Sequence, residues 1–167
     1  MHSDFVNHVD DLKTRKQSFV INTPAWGKFT PPVALDWKIL KFEPENLIEV
    51  PEVSGIYGFA IQSNTSNLPA FSYLMYIGIA GYKEDSPRNL RDRYKNYMKE
   101  EIDVIRAKVH YMLNKYKGFV YFCYVSVDKK KYELRNLETM LNDTLIPPCN
   151  ENDFSGEMRK KVKAAGL

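Results

Sequence analysis

VSGIYGFAI at residues 53–61 and FSYLMYIGI at residues 71–79 decide the fold. Both runs are rich in aromatic and β-branched side chains, which suit a pleated, packed surface. Gln62 to Asn67 lie between them and hold Ser and Asn, residues that bond their own backbone and favour turns. Two such runs read as a β-hairpin with a long connection. Each strand carries a tripeptide that mirrors the other, Gly55-Ile56-Tyr57 and Tyr76-Ile77-Gly78. On a hairpin, the two tyrosines can lie close together across the ladder.

A polar loop, Gly81 to Pro87, follows the hairpin. A helix is then expected from about Arg88 to Met98, since Leu90, Tyr94, Tyr97 and Met98 recur at helical spacing. A second helix is expected from about Glu101 to Tyr116, with Ile102, Ile105, Val109, Met112 and Tyr116 on one face and Gly118 as the stop. FVYFCYVSV at 119–127 reads as a buried strand, and Tyr132 to Asn142 as a third helix ended by Pro147 and Pro148. The tail from Gly156 is basic, with Arg159, Lys160, Lys161 and Lys163, and has the makings of a short helix.

Residues 1 to 50 differ in character. Pro24, Pro31, Pro32 and Pro44 argue against long helices. A short helix over 5–17 and a strand over 35–42 fit the pattern. The expectation is an arm that packs Trp26 and Trp37 on the core; the alternative is an arm that grips a partner. The chain then divides into an arm (1–50), a core domain (51–155) and a basic tail (156–167). The order strand, strand, helix, helix, strand, helix is not the alternation of a doubly wound sheet. It predicts class α+β, with a small, mainly antiparallel three-stranded sheet flanked by helices.

The chain has 167 residues, of which 44% are hydrophobic, which argues against a wholly disordered protein. A net charge of +3 permits nucleic acid as a partner without demanding it. Phe119 to Val127 is too short to span a bilayer. His2, Asp4, Asp10 and Asp11 stand where a signal peptide would be apolar. Cys123 and Cys149 show neither metal spacing nor a disulfide framework. These features predict a soluble, cytoplasmic protein with no membrane partner.

Three polar side chains then stand out. Arg93 has Tyr97 four residues on, on the same helix surface, at the edge of the buried stripe. A guanidinium held there can bind a phosphate through two N–H groups. Glu138 borders the stripe of Leu134, Leu137 and Leu141. A carboxylate at a core edge is costly unless it is paired or bound to a metal; the plain alternative is an ion pair with Arg93 or Arg135. Asn150 can tie its segment by side-chain hydrogen bonds. His110, on the second helix, reads as structural.

Together these motifs resemble the GIY-YIG nuclease superfamily over roughly residues 53 to 150. The resemblance rests on the two tripeptides, the run Asn89 to Tyr94 on the first helix, Leu137-Glu138 on the third and the terminal element ending in Asn150. It implies a metal-dependent endonuclease that hydrolyses phosphodiester bonds, with Tyr57, Tyr76, Arg93, Tyr97 and Glu138 as its catalytic set. Glu138 is the implied ligand of Mg²⁺ or Mn²⁺, and Tyr57 helps to deprotonate or orient the attacking water. Gly55, Gly78 and Asn150 fall near the site in structural roles. The implied partner is DNA, duplex in preference to single strands. One active site cuts one strand, so cutting both requires a homodimer or two successive events.

Two departures matter. The segments between the tripeptides and after Ile79 are long, and Ile79 stands where many members have Lys or Ser. Lys83 or Arg91 is expected to replace that phosphate contact, with Lys83, Arg88 and Arg91 binding nucleic acid. The loops Gln62 to Ala70 and Gly81 to Pro87 and the basic tail are expected to flank the substrate. The alternative function is a catalytically silent nucleic-acid-binding module of the same fold.

Overall fold

The computed structural model describes residues 2–63, 65–82, 88–100 and 104–166. Its strands are β1 (Lys38–Lys41), β2 (Gly55–Gln62), β3 (Ser72–Ala80) and β4 (Val120–Ser126). Its helices are α1 (His2–Arg15), α2 (Thr23–Trp26), α3 (Leu90–Glu100), α4 (Ala107–Lys115), α5 (Leu134–Leu145) and α6 (Gly156–Ala164), with a 3₁₀ turn over Pro44–Glu49. The strands form one antiparallel sheet in the order β1-β4-β2-β3. The class is α+β.

The sheet has four strands where the sequence pattern predicts three. The fourth comes from the arm: Lys38 to Lys41 pairs with β4, with Ile39 opposite Cys123. Without it β4, an apolar strand, would be an open edge, which invites pairing with other chains. Leu40, Phe42 and Leu47 of the same segment pack on the core beneath. The arm thus gives Lys38–Lys41 to the sheet. Their tryptophans do not plug the core: Trp26 and Trp37 remain 44% and 37% exposed. Phe29, Val33 and Leu35 make the apolar contacts instead.

β2 lies between β4 and β3 and is buried on both faces, which explains its nearly continuous apolar run. One face carries Tyr57, Phe59, Tyr76 and Phe122, in a cluster with Leu90, Tyr94 and Tyr97 of α3 and Val109, Met112 and Leu113 of α4. The other carries Ile56, Ile77, Ile79 and Val125 against Leu134, Leu137 and Leu141 of α5. Each of those buried leucines contributes about 2 kcal/mol by leaving water. They fix the rotation of α5 and so the direction of Glu138, which borders their stripe.

The second helix is shorter than its periodicity predicts. It starts at Ala107, and Arg106 before it is extended (φ −121°, ψ 101°). Val104 and Ile105 are 67% and 73% exposed; residues 101–103 lie outside the described residues. Val109, Met112 and Leu113 already fill the space above the sheet, so Ile105 has no core to enter. α3 begins at Leu90 because Asn89 caps it. Asn89 Oδ1 accepts from the Asp92 N–H at 2.9 Å, and Asp92 Oδ2 accepts from the Asn89 N–H at 3.1 Å. No helix among the described residues is long and apolar enough to cross a membrane.

Candidate active site at the sheet edge

β3 is an edge strand, and its outward backbone groups at alternate residues need partners. Met75 C=O accepts from the Cys149 N–H at 2.9 Å. The Ile77 N–H donates to Asn150 Oδ1 at 2.9 Å, and Asn150 Nδ2 donates to Ile77 C=O at 2.8 Å. Two residues further on, the Ile79 N–H faces Glu138 and favours its charged form. Asn150 therefore acts as a one-residue strand, and Glu138 continues the same edge. Asn150 Nδ2 also donates to Asp153 Oδ2 at 2.8 Å. Edge protection and site construction are one arrangement here.

A cavity of about 390 Å³ opens at this edge, lined by Tyr57, Tyr76, Arg93 and Glu138 from the sequence-selected set. Tyr57 and Tyr76 come from the hairpin, Arg93 from α3 and Glu138 from α5. Tyr97 lies behind the wall, its hydroxyl 3.0 Å from Tyr57 Oη and its ring edge-on to that of Tyr76, with centroids 6.2 Å apart. Three phenol rings thus pack together at one buried point.

Gly78 makes room for this packing. A Cβ there would stand 2.6 Å from Tyr57 Oη and 2.8 Å from its Cζ. Gly55 serves the backbone instead: its Cβ would lie 2.2 Å from Val125 C=O across the β2–β4 ladder.

Burial dominates the electrostatics. It drives the Tyr57 phenol far above the ordinary tyrosine range, with Tyr76 adding to the rise and Arg93 opposing it. Tyr76 and Tyr97 are raised for the same first reason. These phenols stay protonated at neutral pH. Glu138 is pushed up to about 7, by burial first and by facing Asp153 second. Arg135, Arg93 and the Ile79 N–H pull it back. Arg93 Nε is buried and has no hydrogen-bond partner among the described residues. It is a donor waiting for an acceptor.

The other sequence-selected cations lie elsewhere. Arg91 is spent on the fold: Nε donates to Val50 C=O at 2.7 Å, Nη2 to Ile48 C=O at 3.1 Å, and Nη1 pairs with Glu52. Arg88 is exposed and does not line the cavity. Lys83 lies outside the described residues. No described residue of 62–70 lines the cavity either. That loop caps the far end of the hairpin, five extended residues or about 17 Å from Tyr57. The tail does reach the site: Arg159 is in the wall, its Nη2 donating to Asn152 C=O at 2.8 Å and Phe154 C=O at 3.3 Å.

The sequence pattern does not reveal Arg106, Asp153 or Tyr82, all in the same wall. Asp153 follows Asn150 by three residues in a segment with no periodicity to mark it. Tyr82 carries Arg135 over its ring at 4.6 Å.

Carboxylate oxygens are the kind of donor a hard divalent cation takes. Two carboxylates, Glu138 and Asp153, share one cavity, and their repulsion helps to raise Glu138. Among the described residues no group of three or more His, Cys, Asp and Glu could hold a metal. An ion at Glu138 would take its remaining ligands from water and substrate oxygens, as Mg²⁺ and Mn²⁺ accept.

No protein-family model matches the chain, and no significant match was found among curated proteins or solved structures.

Proposed function

We propose that this protein is a metal-dependent endonuclease of the GIY-YIG kind that hydrolyses phosphodiester bonds in DNA. One observation carries the reading. Four side chains chosen by motif, from four elements, line one cavity, and the buried Arg93 Nε in it lacks an acceptor among the described residues. A non-bridging phosphate oxygen is the acceptor that fits it.

In this reading Arg93 clamps the scissile phosphate and neutralises charge as it develops. Tyr57 and Tyr76 stay neutral and orient the attacking water and the phosphate by hydrogen bonds. Of the two roles the motif allows Tyr57, orientation is the one compatible with so buried a phenol. Glu138 is the ligand for Mg²⁺ or Mn²⁺, which would stabilise charge on the phosphate and leaving oxygen. Arg135 and Arg159 add positive charge at the wall, in the role expected for Lys83, Arg88 and Arg91.

The test is incubation of the pure chain with supercoiled plasmid and with defined single-stranded, duplex and branched DNA, in Mg²⁺. Mapped, discrete cuts support the reading. Salt-dependent binding with no cut on any substrate rejects it in favour of a silent binding module.

A further inference from the structure

We infer that Arg106 is a positioning residue of the same site, acting through Tyr97 to turn the Tyr57 hydroxyl proton toward the cavity. The inference rests on the nuclease reading above and adds a residue that no motif selects.

Arg106 stands directly before α4, in the wall shared by the Tyr57 cavity and an adjoining cleft of about 410 Å³. Its extended backbone, rather than a helical one, leaves the side chain reaching back to Tyr97. Nη1 donates to Tyr97 Oη at 2.6 Å, and the guanidinium carbon is 5.4 Å from the Tyr97 ring centroid.

A guanidinium can only donate. One lone pair of the Tyr97 hydroxyl is therefore taken by a cation, which polarises that hydroxyl and favours its donating to Tyr57, its hydrogen-bonded neighbour at 3.0 Å. Tyr57 must then turn its own proton outward, into the cavity, where it is a donor for a phosphate or water oxygen. Take Arg106 away and that bias is lost, so Tyr97 and Tyr57 exchange donor and acceptor roles freely. Preorganised donors act because they need not reorient during the reaction. The loss should fall on the chemical step rather than on binding.

The test is a double-mutant cycle on DNA cleavage with Arg106→Gln, Tyr97→Phe and the double variant, each checked for folding by thermal unfolding. Arg106→Lys is the conservative comparison. The expected result is a drop in kcat on the order of tenfold or more for Arg106→Gln, the worth of a hydrogen bond to a charged group. KM should stay within about twofold, Arg106→Lys should recover part of the loss, and Arg106→Gln should have no further effect once Tyr97 is Phe. Additive losses, or a loss confined to KM, overturn the inference while leaving the nuclease reading intact. A folded wild-type chain that cuts no nucleic acid overturns both.

Discussion

Glu138 is held as a buried carboxyl whose proton affinity reaches about 7, against 4.5 for the free side chain. The folded protein therefore binds that proton more tightly than the unfolded chain does. Its stabilising contribution is complete below about pH 4.5 and is lost as pH rises through about 7. Above that pH the charged side chain costs the fold up to about 3 kcal/mol. Glu138→Gln should thus be more stable than the wild-type chain at pH 8, with the gap closing by pH 4.5. Denaturant midpoints across that range check it; a gap independent of pH would contradict the burial argument. The two glycines separate site from scaffold. Gly78→Ala should displace the Tyr57 ring and cost on the order of 100-fold in rate with the fold retained. Gly55→Ala meets backbone rather than a side chain and should mainly lower stability. Circular dichroism beside rate measurements distinguishes the two.

At the scale of elements, the β3 edge is where stability and site are joined. Asn150 is 6% exposed and makes three bonds to Ile77 and Asp153. Asn150→Ala leaves both backbone groups of Ile77 unpaired, at about 1–3 kcal/mol for each buried group. A fall in unfolding free energy of about 2–4 kcal/mol is expected, with faster amide exchange at Ile77. Unchanged Ile77 protection would show that Asn150 does not hold the edge. Arg91→Ala should lower stability without changing the single-turnover rate, because its guanidinium is bonded to the 48–52 segment and not to the cavity. Much of this was legible beforehand. The hairpin, α3 and α5 follow from local periodicity, and Arg93 and Glu138 stand at the borders of apolar stripes that a helical wheel displays. Arg106 was not legible, because the apolar pattern through Ile105 continues the helix on paper. Only the filled space above the sheet stops it at Ala107.

For the whole molecule, the arm shows what a sequence pattern cannot carry. β1 is four residues long, and its pairing with β4 depends on a partner some eighty positions away. Nothing local distinguishes it from an arm lying on the surface. Asp153 reaches the cavity for a similar reason, in a segment after Pro147-Pro148 that no periodicity marks. The resulting molecule brings three phenols, a cluster of arginines and two carboxylates to one edge of the sheet, with Arg93 Nε awaiting an acceptor. As proposed, this cavity hydrolyses phosphodiesters by means of Glu138 and a divalent cation. The most direct measurement is the single-turnover cleavage rate of end-labelled DNA at saturating protein, with Mg²⁺ and with chelator, for the wild-type chain and Glu138→Gln. Cleavage that requires Mg²⁺ and falls by at least about 100-fold in a folded, DNA-binding Glu138→Gln is the predicted result. Equal rates for the two proteins, or cutting that persists in chelator, would contradict the account.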